Sequence, residues 1–286
     1  MSQVRSIPAA CKHSGTSNIP GHNVSDDPLQ RAIKDLVIAN RILGREGVLD
    51  GYGHVSVRHP LFPDRFLQSC SRPPEQVDLA DIMEFYLDGK PVVHNDNRPP
   101  YSERFIHGAI YEARPDLHAA VHSHAEDVLP FSITKAPLRP VIHIASAMGP
   151  NVPVWDIADK FGDETSLLVV NVEQGRDMAK CLGNDRVVLM RGHGFSAAAR
   201  SLKELVKLSV YVPQNARVLL HALRIGEFKG LSDGEIKARV LAPSSQPDSP
   251  DMKRSWTYWT KRAGCEHLLA DSDAKPERKD AAPELQ

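Results

Sequence analysis

Long hydrophobic runs are missing from this 286-residue chain, and no stretch approaches the ~18–20 apolar residues of a membrane-spanning helix. Cysteine is scarce. Cys11, Cys70, Cys181 and Cys265 are widely scattered and form no C-x-x-C pair, which favours reduced thiols in a cytoplasm over a disulfide framework. The N-terminus carries Arg5 and the run Pro8-Ala9-Ala10-Cys11 but no apolar core of a secretory signal. Excess charge of either sign is also lacking: 35 Lys+Arg stand against 36 Asp+Glu, a net charge of -1. Nothing in that balance suggests a nucleic acid or membrane partner. No internal repeat is visible. The length suits one large domain or two small ones.

Along the chain, helical and extended patterns alternate, which predicts an α/β layer fold. Residues 1–24 read as a polar, mobile arm. Asp27-Pro28 opens a helix whose Leu29, Ile33, Leu36, Val37, Asn40 and Leu43 follow helical spacing, and Gly47 fits its end. Asp88-Gly89 between Ile82–Leu87 and Pro91–Val93 is a hairpin signature. Ser102 is placed to cap a helix carrying Phe105, Ile106, Ala109 and Ile110, which Pro115 ends. Residues 117–121 and 187–190 read as strands, as does Ser166–Val172, and Gly175–Leu182 as a short helix. A long helix is predicted over Leu202–Leu220, kinked at Pro213. The main domain spans 25–242. Residues 243–286 become rich in Pro, Ser and charge and read as a partly disordered tail, in which Trp256, Tyr258 and Trp259 either pin the tail to the body or close over an aromatic ligand.

The chemistry concentrates in four segments: Ser102-Glu103, Val121-His122-Ser123-His124, Val187-Val188-Leu189-Met190 and Arg191-Gly192-His193-Gly194. Side chains two apart on a strand share a face, so His122 and His124 can reach one cation at ~2.0–2.1 Å each. The apolar run 187–190 reads as a buried strand that delivers His193 into a glycine turn. Three protein nitrogens with a position left open is the arrangement of a catalytic metal, not of a closed structural one. His107, four residues past Glu103, shares its helix face and reads as a packed residue or one that orients Glu103.

In this order these segments, with Gly53-His54-Val55-Ser56-Val57-Arg58 and Arg114-Pro115-Asp116, resemble the class II aldolase/adducin family from about Leu29 to Leu220. The resemblance implies a three-layer α/β/α fold with a central mixed sheet. It implies that His122, His124 and His193 ligate one divalent ion per subunit, with Glu103 as acid/base that also touches the metal when substrate is absent. It further implies a homotetramer with active sites near subunit contacts. Three histidines accept Mn, Zn, Fe and Co alike.

The chain departs from the family's sugar-phosphate aldolases in two loops. His54 stands where they have Asn, and Gln68-Ser69-Cys70-Ser71-Arg72-Pro73-Pro74 lacks the glycines of a phosphate-holding loop. Arg72 offers a planar fork suited to a carboxylate, although as a loop cation it could equally be solvated. The longer likeness, through Asn40–Gly47, Glu103–Ala109, Pro153–Asp156 and Met190–Gly194, is to decarboxylases of 3-hydroxy-pyridinedicarboxylates and dihydroxyphthalates in aromatic compound catabolism. The first reading is therefore a metal-dependent lyase that decarboxylates a hydroxylated aromatic or pyridine (di)carboxylic acid. Glu103 is its first proton donor, with His54 or Tyr211 as substitutes, and Arg72, His54, Ser56, Arg191 and Tyr211 are candidate substrate contacts. The alternatives are an aldolase or epimerase on a hydroxy-acyl or sugar-like substrate, an iron oxygenase at the same histidines, or a non-catalytic adducin-like module. All four ligand positions are filled, which disfavours the last.

Overall fold

A computed structural model describes residues 27–269; the expected arm over 1–24 and the end from Ala270 lie outside the described residues. The first helix, α1 (Pro28–Arg45), begins as its sequence predicts, with the Asp27 carboxylate accepting from the Leu29 N–H and Pro28 in the first turn. Strands β1 (His54–Arg58), β2 (Arg65–Ser69) and β3 (Ile82–Tyr86) follow, then α2 (Phe105–Ala113), β4 (Ala119–Ser123) and the short α3 (Leu129–Ser132). Next come β5 (Val154–Trp155), α4 (Ala158–Phe161), α5 (Val172–Leu182) and the hairpin β6 (Val187–Met190) and β7 (Gly194–Ala199). The chain then runs through α6 (Leu202–Ile225), α7 (Asp233–Leu241) and α8 (Pro250–Arg262).

The seven strands form one sheet in the order β3-β2-β1-β4-β7-β6-β5. All pairs are antiparallel except β5–β6, so the sheet is mixed. Strand alternation divides its residues between two cores. Val55, Val121 and Phe195 face α1, α6 and α8, where Leu36, Ile42, Leu205 and Trp256 are buried. Phe66, Ala120 and Val188 face α2 and α5, with Ile106, Ile110 and Met178. The result is the α/β/α sandwich expected, with β4 in the middle.

The local expectations fare differently. The apolar run 166–172 is no strand: Leu167 has φ +62°, and Leu168 and Val170 are 38% and 44% exposed. Of its residues Val169 is buried, and its N–H serves Glu103 instead of a neighbouring strand. After Asp88-Gly89 the chain turns back along β3, with the Tyr86 N–H donating to the Lys90 carbonyl and the Val92 N–H to that of Glu84, both at 2.9 Å, but the pairing stops at the isolated Pro91–Phe85 bridge and forms no further strand. Ser102 does not cap α2, which starts two residues later than that cap would place it, at Phe105, with no side-chain cap. The long helix expected over Leu202–Leu220 is present and runs on to Ile225 with Pro213 inside it, since tertiary burial over Leu205–Leu219 outweighs one lost backbone bond. Beyond Ala242 the chain continues into α8, whose Trp256 and Trp259 are buried in the core shared with α1 and α6. The two tryptophans pin this segment to the body, while Tyr258 is exposed.

Candidate metal centre

His122 lies on β4 and projects from the sheet face that α2 covers, opposite His54 on β1 and Ser196 on β7. His124 follows just past the end of β4. His193 sits in the β6–β7 turn, between Gly192 (φ +64°) and Gly194 (φ +155°), conformations that favour glycine. A Cβ at Gly194 would lie 2.0 Å from the Ser123 carbonyl oxygen. Only glycine lets the turn press against the strand carrying the other two histidines. Glu103 immediately precedes α2 and reaches the same point from the helix layer.

The side chains converge tightly. His122 Nε2 is 3.0 Å from His124 Nε2, which is 3.2 Å from His193 Nε2. Glu103 Oε2 is 3.6 Å from both His122 Nε2 and His193 Nε2. All four ligand atoms lie within 4.8 Å of one another. Two nitrogens ~2.0–2.1 Å from one ion, at angles between a right angle and the tetrahedral one, stand about 2.8–3.4 Å apart. The two measured edges fall in that window, so the donor set fits one divalent ion.

The surroundings keep the nitrogens available. Burial, with the neighbouring histidines adding to it, holds His122 well below its ordinary pKa. Burial and His124 push His193 down to about 4. Both are thus neutral ligands near neutral pH. His124 Nδ1 lies 3.1 Å from an Asp50 carboxylate oxygen, which holds the proton on Nδ1 and frees Nε2 for a metal. Asp50 is itself anchored by the Tyr52 and Gly53 N–H groups at 2.9 and 2.8 Å. Against the cost of partial burial, these bonds keep its carboxyl below the usual range. His122 Nδ1 meets Ser196 Oγ at 3.2 Å. Glu103 is raised to about 7 by burial, although the Val169 N–H donates to its Oε1 at 2.9 Å and lowers it. A carboxyl so placed can both hold and release a proton near neutral pH.

The other candidates are arranged differently. His54 is buried with its ring centroid 5.3 Å from that of His122, and Ser56 lies beneath it, bonded to His107 and Tyr111. Arg72 pairs with Asp81 at 3.1 Å, and its carbonyl accepts from the hydroxyl of Tyr101, whose ring packs 4.6 Å from that of His54. Arg191, in the β6–β7 turn, is ion-paired with Asp156. Tyr211 is carried by α6 to the C-terminal helix, 6.1 Å from Trp259, and is not brought to the histidine cluster. Asp50, Ser196 and Val169 were missed by sequence reasoning. Asp50-Gly51-Tyr52-Gly53 does read as an Asx turn, but nothing in it points to His124, 74 residues away.

A three-layer α/β/α domain with three histidines and a glutamate converging at the ends of its central strands defines a metal-assisted enzyme class. The chain belongs to the class II aldolase/adducin family: residues 34–220 match its Class II Aldolase and Adducin N-terminal domain. It is 32% identical to decarboxylase tropJ of Talaromyces stipitatus, over 82% of this chain and 94% of that protein. It is 28% identical to the 3,4-dihydroxyphthalate decarboxylase of Arthrobacter keyseri, over 70% of this chain and 83% of the relative. In fold it resembles an L-fuculose 1-phosphate aldolase from Glaciozyma antarctica, with TM-score 0.65 and 18% identity over 90% of this chain and 97% of that one. Decarboxylases and aldolases are carbon–carbon lyases, and the chain is a lyase of this family.

Proposed function

We propose that the chain is a metal-dependent, non-oxidative decarboxylase of a hydroxylated aromatic or pyridine (di)carboxylic acid. The observation that carries this is the convergence of three imidazole nitrogens beside a protonatable Glu103. The two decarboxylase relatives support it. His122, His124 and His193 would hold one ion of Mn, Zn, Fe or Co, and Glu103 would touch it when substrate is absent. Such an ion supplies Lewis acidity, stabilising negative charge that develops on a substrate oxygen.

The remaining work falls to side chains. The bond from ring carbon to carboxylate breaks, and its electron pair stays on the ring. Glu103 gives its proton to that carbon as carbon dioxide leaves, and a water proton restores the acid. Desolvation of Glu103 supports this role because, by raising the carboxyl to about 7, it lets a sizeable share of the acid form persist at neutral pH. His54 and Arg72 would bind substrate oxygens, with Ser56 supporting His54; Arg191 remains a candidate at the rim. Active sites near the contacts of a homotetramer fit the family resemblance. A cytoplasmic location accords with the free thiols of Cys70, Cys181 and Cys265.

The aldolase reading is disfavoured by the loop after β2. A phosphate needs several convergent backbone N–H groups. Here the Cys70 N–H is spent on the Asp81 carbonyl at 2.8 Å and the Ser71 N–H on that of Pro99 at 2.7 Å, while Pro73 and Pro74 have none. The test is a screen of hydroxylated aromatic and pyridine dicarboxylates for released carbon dioxide, using metal-loaded protein, with sugar phosphates run alongside. Carbon dioxide release supports the proposal; efficient retro-aldol cleavage of a sugar phosphate restores the aldolase.

A further inference from the structure

Two stripes of side chains face each other across the α2–sheet boundary. On the helix side Glu103, His107 and Tyr111 recur every four residues; on β1, His54 and Ser56 share one face. The polar groups zigzag between them. His54 Nδ1 is 2.6 Å from His107 Nε2, His107 Nδ1 is 2.6 Å from Ser56 Oγ, and Ser56 Oγ is 2.8 Å from the Tyr111 hydroxyl. All four residues are buried.

A chain of this kind has two self-consistent polarities, and a closed end decides between them. The Tyr111 phenol keeps its proton, since burial raises it further above neutrality. Ser56 Oγ, at 2.8 Å, is the acceptor within reach of the phenol. The phenol proton therefore goes to Ser56 Oγ, because the reverse polarity would leave a buried O–H without an acceptor. Ser56 O–H then donates to His107 Nδ1, which makes His107 Nε2 the protonated nitrogen, and this donates to His54 Nδ1. The Gln68 side-chain nitrogen, 3.3 Å from the same Nδ1, is a second donor there. Arg58, whose guanidinium lies 4.9 Å over the Tyr111 ring, favours the phenol as a donor.

We propose that Tyr111, Ser56 and His107 are positioning residues that lock His54 in its Nε2–H tautomer, so that it presents a hydrogen-bond donor beside the histidine cluster. His54 and His122 are direct cross-strand partners with ring centroids 5.3 Å apart, which sets that donor against the proposed substrate space. The chain ends in the core, so it sets polarity and does not conduct protons. Resting on the reading of the cluster as a substrate centre, it makes a specificity statement: the substrate atom that meets His54 is an acceptor, namely a carboxylate, phenolate or carbonyl oxygen. An alcohol or phenol that must donate its proton at this point is rejected, because a donor would face a donor.

The tautomer can be read without any substrate, independently of the decarboxylase proposal. Magic-angle-spinning spectra of 13C,15N-histidine-labelled protein loaded with diamagnetic zinc are compared with those of His54→Asn and His54→Gln variants, to assign the His54 signals. The expected result is an unprotonated His54 nitrogen that correlates with Cγ, and is therefore Nδ1, and a protonated nitrogen that correlates with Cδ2. An unprotonated Nε2, or an even mixture, overturns the proposal. His107→Gln, whose amide can accept from Ser56 and donate to His54, is expected to keep the tautomer. His107→Leu is expected to release it into a mixture and to raise KM by more than it lowers kcat. A His107→Leu spectrum identical to the wild type overturns the role given to His107. If that variant does not fold, the wild-type and His107→Gln spectra still decide.

Discussion

At the scale of single residues, the site rests on groups held by neighbours that a one-dimensional reading reaches unevenly. The His-x-His pair and the Gly-His-Gly turn were legible because strand periodicity and glycine punctuation are local signals. Asp50 was not, because its partner His124 is adjacent only in the fold. Asp50→Asn removes the charge that holds His124 as its Nδ1–H tautomer, and metal affinity is expected to fall by about 10–100-fold with the fold intact. Metal titration followed by calorimetry checks this; unchanged affinity would make Asp50 a bystander. Glu103→Gln keeps the shape of the side chain but not its acid, so turnover is expected to fall by roughly 10²-fold or more while metal stays bound. Single-turnover kinetics beside metal analysis separate the two effects, and a near-normal kcat would move the proton transfer elsewhere. Arg72 is oriented by Asp81, and a charge-assisted pair shielded from water is worth about 1.5–3 kcal/mol. Arg72→Ala is therefore expected to raise KM for a carboxylated substrate at least about tenfold, and Arg72→Lys to recover only part of that, since it keeps charge without the fork. Equal KM values in all three proteins would remove Arg72 from the substrate contacts.

At the scale of elements, the apolar periods of α1, β4, β6 and α6 were readable because each buries a face of its own. The segment 166–172 was misread for a physical reason. Leu167-Leu168-Val169-Val170 has the apolar content of a buried strand, but its backbone is committed to Glu103 through the Val169 N–H and to Gln174 through the Val170 N–H. Such commitments are tertiary and leave no periodic trace. The β6–β7 hairpin is where element geometry and function meet most directly. In Gly194→Ala the new methyl would meet the Ser123 carbonyl at 2.0 Å, backbone against backbone, at a φ of +155°. The turn must withdraw, taking His193 with it. Chemical denaturation is expected to register a loss of at least about 2 kcal/mol, accompanied by weakened metal binding. A variant as stable and as metal-replete as the wild type would show that the close approach is not required.

For the molecule as a whole, the order of motifs along the chain carried the fold and the family, while the extent of the ordered body was underestimated. The stretch after Ala242 looked like a tail because its composition is polar. Two buried tryptophans are enough to bind α8 into the core over α1 and α6, where each aromatic ring covers far more apolar surface than its share of the sequence suggests. That layer backs the sheet whose strand ends carry the three histidines, so loss of the metal site need not unfold the protein. The most direct test of the account is metal content per protomer in wild type and in His122→Ala, His124→Ala and His193→Ala, purified without chelator and checked for folding by circular dichroism. One bound divalent ion per chain in the wild type and none in each folded variant is the predicted result; full occupancy in any two of the variants would contradict it.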